Sequence, residues 1–153
     1  RVKRGLVENI EASRVEDVPV LETWERLSAD PKAVLVDVRT RAEWAFVGVP
    51  DLSGLGRETL LMEWLTFPDN RTVPDFKDRL DEALKARGVG KDDQIFFICR
   101  SGARSLKAAE AMAASGYRRC FNVTEGFEGP IDPDRHRNQI AGWRHAGLAW
   151  VQG

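Results

Sequence analysis

Three apolar runs frame this chain: Val34-Leu35-Val36-Asp37-Val38, Ile95-Phe96-Phe97-Ile98, and the stretch from Arg119 to Val123. Short continuous runs rich in Val, Ile and Phe predict strands buried on both faces. Thr59 to Trp64 predicts a further strand, and Val7 to Ala12 offers one more short one. Between these runs the period changes. Over Pro19 to Ser28, Val20, Trp24 and Leu27 share one face, which predicts a helix opened by Pro and stopped at Asp30-Pro31. From Pro74 to Arg87 the stripe is Phe76, Leu80, Ala83 and Leu84, with Asp75/Arg79, Lys77/Asp81 and Asp81/Lys85 as charge pairs on the exposed face and Gly88 as the stop. Ser105 to Ser115 is Ala-rich and predicts a helix packed through Leu106, Ala109, Met112 and Ala113. Thr40-Arg41-Ala42-Glu43 reads as a capping box opening a short helix, which accounts for Glu43 structurally. Strands alternating with helices predict an α/β domain of three layers: a parallel sheet of about five strands with helices on both faces.

Composition narrows the class without naming a chemistry. A chain of 153 residues, 42% hydrophobic and 31% charged, fits one soluble globular domain over residues 1–153, with residues 1–5 as a loose start. A net charge of -1 predicts neither nucleic-acid binding nor a membrane surface, and no apolar run approaches the length of a membrane span. Two Cys make no disulfide framework, so a reducing compartment, the cytoplasm, is the simpler expectation. The chain begins at Arg1 without a Met, and removal of a leader is one reading of that. Neither the two His nor the two Cys have metal-ligand spacing, and no Gly-rich nucleotide fingerprint follows a strand, so no metal or other cofactor is expected.

The chemistry concentrates where the run Ile95–Ile98 meets Cys99-Arg100-Ser101-Gly102-Ala103-Arg104-Ser105. The cysteine stands between the end of a parallel strand and the start of a helix, which is where open α/β sheets place ligands. A loop curling back over the sulfur would aim backbone N–H groups at it, and the first helical turn adds its positive end. Gly102 permits the curl, while Arg100 and Arg104 contribute two permanent charges. Such surroundings favour a nucleophilic thiolate in an anion-holding cradle. The bland alternative is an inert core thiol, which would need neither the Gly nor the flanking Arg pair. Cys120 lacks such a loop and reads as that inert thiol, its second reading being a resolving partner for an oxidised Cys99. Asp37 falls at the end of its strand on the same sheet edge as Cys99, and Arg39 is its nearest partner.

The Cys99-Arg-Ser-Gly-Ala-Arg-Ser loop resembles the active-site loop of rhodanese-type sulfurtransferases. The resemblance extends upstream to Asp37-Val38-Arg39 with Glu43-Trp44 and Gly48, and downstream to Gly116-Tyr117, Phe121-Asn122-Val123 and Gly126-Phe127, covering residues 6 to 150. It implies a rhodanese-like fold and an enzyme of the thiosulfate sulfurtransferase type. Cys99 would carry a persulfide, taking sulfur from a small anionic donor and passing it to cyanide or a thiol, either a small thiol or a thioredoxin-like protein. Arg100 and Arg104 would hold the anion, the amides from Arg100 through Ser101, Gly102, Ala103 and Arg104 to Ser105 would stabilise the persulfide, and Asp37, Arg39 and Glu43 would support the loop. Thiosulfate is preferred as donor because the loop is basic.

The chain departs from that family in two places. After Gly48 the usual His-Ile-Pro-Gly is replaced by Val49-Pro50-Asp51-Leu52, so no general base stands there. Between Gly126-Phe127 and an ending that looks like the family's Trp and final helix, Trp143 to Leu148, lies an apparent insertion, residues 128–141. It reads either as a shaper of access to Cys99 that helps choose the acceptor, or as a surface elaboration. Other functions stay open at this stage: a cysteine phosphatase or arsenate reductase, a rhodanese-like module that binds without turnover, and a redox sensor. The first normally has five residues between Cys and Arg, whereas Arg100 to Ala103 are four.

Overall fold

A computed structural model describes residues 15–153, so the short strand considered at Val7 to Ala12 lies outside the described residues. Five strands form one sheet: β1 (Glu16–Val18), β2 (Val34–Asp37), β4 (Leu60–Leu61), β5 (Ile95–Ile98) and β6 (Cys120–Val123). Their order is β1-β6-β5-β2-β4 and every pairing is parallel. The most apolar run, β5, therefore takes the centre, and β2 and β6 flank it. Parallel neighbours all end on one edge, and Asp37 at the end of β2 sits in register with Ile98 at the end of β5. A separate antiparallel pair joins β3 (Val49–Pro50) to β7 (Trp150–Val151).

Side chains alternate across the sheet and so divide the core in two. Ile95, Phe97 and Cys99 face one side, where α3 (Phe76–Ala86) and α4 (Ala103–Ala114) cover them through Phe76, Leu80, Leu84, Ala108 and Met112. Phe96 and Ile98 face the other, under α1 (Val20–Ala29), Leu52 and Trp143. Trp24 of α1 meets Trp143 edge-on, with ring centroids 5.9 Å apart. The helix after Thr40, α2 (Arg41–Phe46), has the full capping box, with Thr40 Oγ1 accepting from the Glu43 N–H and the Glu43 carboxylate accepting from the Thr40 N–H. The fold is thus a three-layer α/β arrangement with helices on both faces of a parallel sheet.

Three expectations differ from what forms. The strand predicted over Thr59 to Trp64 shortens to Leu60–Leu61 at the sheet edge, although Met62 and Trp64 still donate to the carbonyls of Asp37 and Val38. The ending Trp143 to Leu148 is a series of turns, because Gly147, at a positive φ of +81°, stops the chain after a single turn. Phe67, an aromatic side chain that base rates would place at the core or its rim, is 66% exposed. Among the described residues no helix is long and apolar enough to cross a membrane.

Candidate active site

The end of β5 delivers Cys99 to the carboxyl edge of the sheet, and only Arg100, Ser101 and Gly102 separate it from α4. Gly102 makes so short a connection feasible. Its φ is +113°, and a Cβ there would stand 2.5 Å from the Thr124 carbonyl oxygen, so neither the turn nor the space admits a side chain. This turn points the Gly102 N–H at Cys99 Sγ, 3.2 Å away. Arg100 and Ser101 stand exposed on the loop and Ala103 is exposed at the start of α4. Of the amides from Arg100 to Ser105, the Gly102 N–H is the one hydrogen-bonded to the sulfur itself among the described residues. The second donor within reach is a side chain, the Ser105 hydroxyl at 3.2 Å.

That hydroxyl has one proton and three neighbours that can accept it. Besides Sγ these are the Gly102 carbonyl at 3.2 Å and the Asn122 Oδ1 at 2.6 Å. Asn122 reaches up from β6, its Nδ2 donating to Gly102 O at 3.3 Å and to Asp17 Oδ1 at 3.2 Å. Ser105 can thus turn its proton to the sulfur when Cys99 is a thiolate and to Asn122 when it is a thiol. An Asn within the apolar run Cys120-Phe121-Asn122-Val123 was the available signal, since a buried amide must find partners.

The two loop arginines differ. Arg104 lies fork to fork on Glu43, with Nη1 to Oε1 at 2.7 Å and Nη2 to Oε2 at 2.9 Å. Burial opposes the charged form of Glu43, but hydrogen bonds from Arg104 and Thr40 outweigh it and bring the carboxyl down to about 2. The same hydrogen bond pushes Arg104 upward, with the Cys99 and Asp37 charges adding to the effect. Glu43 therefore serves twice, capping α2 and neutralising Arg104. Arg100, in contrast, is exposed and has no carboxylate partner among the described residues.

Asp37 and Arg39 are both fully buried and form a closed ion pair, with Arg39 Nε 2.9 Å from Asp37 Oδ1. The guanidinium also donates to the Gly48 carbonyl at 2.7 Å and lies 4.2 Å from the centre of the Phe127 ring. Neither residue lines the groove beside the cysteine loop. The pair ties the end of β2 to Gly48 and to the turn that backs the cysteine loop.

That turn holds the loop from outside the sheet. Phe127 N–H donates to Cys99 O at 2.8 Å, and the N–H groups of Glu128 and Gly129 both donate to Arg100 O, at 3.0 and 3.2 Å. A Cβ on Gly126 would come within 2.4 Å of the same carbonyl. The insertion thus begins as a clamp on the loop, and its Glu128 and Arg137 line a groove beside Arg100 and Arg104. That groove has a volume of about 930 Å³, and no histidine lines it.

Cys120 is excluded as a partner for Cys99. It pairs in register with Ile95, four residues before Cys99 on the neighbouring strand. At about 3.3 Å per residue that is a separation of about 13 Å, whereas a disulfide needs Cα atoms within about 7 Å. Burial pushes its thiol up to about 12, and its Sγ donates to the Tyr117 carbonyl at 3.6 Å. Among the described residues no group of three or more His, Cys, Asp or Glu converges as metal ligands.

A central parallel strand ending in a cysteine, a tight loop and a helix start place a thiol at the carboxyl edge of an α/β sheet. The model of the rhodanese-like domain matches residues 20–130, and the chain belongs to that family. It is 36% identical over 138 residues to the uncharacterized protein RP600 of Rickettsia prowazekii, covering 89% of this chain and 97% of that one. A protein named sulfurtransferase from Allochromatium vinosum is 27% identical over 103 residues, covering 67% of this chain and 76% of that one. Among solved structures, Rv0390 from M. tuberculosis is 45% identical, with a TM-score of 0.78 over 91% of this chain and 98% of that chain.

Proposed function

We propose that this protein is a sulfurtransferase that carries sulfane sulfur as a persulfide on Cys99. The observation that carries the reading is Sγ between the Gly102 N–H and the Ser105 hydroxyl at the mouth of the central strand. In the donor half, the Cys99 thiolate attacks the outer sulfur of an anionic donor. The Sγ–S bond forms, the donor's S–S bond breaks, and the leaving group departs with the electron pair (sulfite, if the donor is thiosulfate). In the acceptor half, a thiolate or cyanide takes that outer sulfur and Cys99 regains its anion. Neither step removes a proton from carbon or oxygen, so the missing His after Gly48 is no loss. The N–H groups of Ala103, Arg104 and Ser105 have no intrahelical partner and suit a second sulfur lying beyond Sγ. Two half-reactions through one covalent intermediate give ping-pong kinetics. Membership of the rhodanese-like family and the sulfurtransferase name of one relative support this reading.

Intact mass after incubation with donor tests it. The wild-type protein should gain sulfur and Cys99→Ser should not; an adduct that survives the substitution overturns the assignment. A second reading, a module that docks without turnover, draws on the 1% exposure of Cys99, and a wild-type protein that never gains sulfur from any donor would favour it. For phosphatase or arsenate reductase chemistry, the Arg that would embrace an oxyanion is already committed to Glu43.

A further inference from the structure

At the amino edge of the sheet, the end opposite Cys99, lies a second cavity of about 530 Å³, within the range of organic-ligand sites, about 300–1,000 Å³. It opens where the chain enters β2 and β5, over a floor of buried Leu35, Leu52 and Val89. Three cations, Lys32, Arg57 and Arg87, line it together with one carboxylate, Glu58. The cations are tied in a ring. Lys32 Nζ donates to the Gly88 carbonyl at 2.9 Å, next to Arg87. Arg87 Nη1 donates to the Glu58 carbonyl at 3.0 Å, next to Arg57. Arg57 Nη1 donates to the carbonyls of Asp30 and Ala33, at 2.9 and 2.8 Å, on the two sides of Pro31-Lys32, and its Nη2 donates to that of Leu27. Capping of helix ends explains part of this, since Leu27 lies in the last turn of α1 and Gly88 just beyond α3. It does not explain Arg87, whose acceptor stands outside any helix. Among the described residues none of the three pairs with a carboxylate, and nearby Asp30 gives its oxygens to the Lys32 N–H and the Gln94 amide. A carbonyl orients a cation without cancelling its charge. Three like charges are thus held around one apolar hollow, with Glu58 alone among the lining residues to offset them.

We propose that this cavity binds a small organic phosphate monoester, with the phosphate between Lys32 and Arg87 and the apolar body on Leu35, Leu52 and Val89. A phosphate monoester carries about 1.5–2 negative charges at pH 7, which matches the excess of cations over carboxylates in the lining. Lys32 and Arg87 are both exposed, and each spends one hydrogen bond on its carbonyl, so the remaining ammonium and guanidinium protons are free to donate to phosphate oxygens. Arg57, bound to three carbonyls, shapes the ring and adds its charge. An uncharged ligand would leave the cations unmatched, and inorganic phosphate would leave the floor in water. The site is separate from the cysteine loop and stands whether or not Cys99 carries sulfur.

NMR titration of the full-length wild type and a Lys32→Gln/Arg87→Gln variant with phenyl phosphate, inorganic phosphate and phenol tests this. Both substituted side chains are exposed and Arg57 is left in place, so the variant keeps its core. In wild type, amide shifts should centre on residues 31–35, 52–58 and 87–89, with phenyl phosphate bound about tenfold more tightly than inorganic phosphate or phenol. The variant should bind phenyl phosphate about tenfold to a hundredfold more weakly. No shift at those residues, shifts confined to residues 99–105, or equal affinity in the two proteins overturns the proposal. So does equal affinity for phenyl and inorganic phosphate, which would reduce the cavity to a surface contact for anions. Binding of hexaglutamate at the ring without binding of phenyl phosphate would assign it to an acidic protein segment and overturn the proposal as well. If the double variant does not fold, Lys32→Gln alone decides: binding weakened about fivefold or more upholds the site, and unchanged binding overturns it.

Discussion

Cys99 and Cys120 have the same side chain, lie on adjacent paths through the same half of the core, and are 1% and 5% exposed. What separates them is which groups surround each sulfur. Cys120, at the amino end of β6, meets a carbonyl and apolar neighbours, and burial alone pushes its thiol up to about 12. Cys99, at the carboxyl end of β5, receives an N–H and a hydroxyl. Parallel strands all present the same polarity at an edge, so a thiol's position along the strand decides whether it faces a helix start. Burial does not distinguish the two sulfurs; the donors around them do.

The comparison breaks most visibly if sulfur is found on the wrong thiol. Peptide mapping of donor-treated protein should place the added sulfur on Cys99 alone, and a Cys120 adduct of similar yield would end the distinction. Next in size is Ser105→Ala, which removes the hydroxyl donor. A hydrogen bond to a charged group is worth about 1.5–3 kcal/mol, so persulfide formation should slow by about tenfold to a hundredfold, with Asn122→Ala intermediate between it and wild type. Equal rates in Ser105→Ala and wild type would show that Gly102 alone holds the anion.

Glu43→Gln leaves Arg104 without its counter-charge beside the loop and should cost about 2 kcal/mol in stability, read by urea denaturation. Because the folded carboxyl of Glu43 lies near 2, below its ordinary 4.5, its contribution is complete above about pH 5 and drains away as pH falls toward 2. Wild type should therefore lose more stability than the Gln variant over that acid window and track it in parallel above it. The smallest effect belongs to Cys120→Ala, a buried truncation that should cost about 1 kcal/mol and leave transfer kinetics unchanged. A kinetic defect there would mean that the second thiol is chemically engaged after all.

Much of this frame can be read from local pattern. Continuous apolar runs marked β2, β5 and β6, Gly88 marked the end of α3, and Thr40 with Glu43 marked the start of α2, each within a few neighbouring residues. Asp37 and Arg39 were legible for the same reason, being two positions apart. The pairing of Arg104 with Glu43 spans 61 positions and that of Asn122 with Asp17 spans 105, and no local signal announces either. Glu43 was already accounted for by its capping role, which concealed the second one. The turn-rich ending escaped because an apolar stretch headed by Trp143 looks helical until Gly147 takes up a conformation that no helix contains.

The Arg100 carbonyl, gripped by two N–H groups and pressed by Gly126, also fixes what the peptide following the nucleophile can do. It has no room to swing when a ligand arrives, so the donors around the sulfur are set in place when the chain folds and need not be assembled at each encounter. Under the proposed sulfur transfer, substrates would meet a finished socket, and any motion would be left to the exposed side chains at its rim.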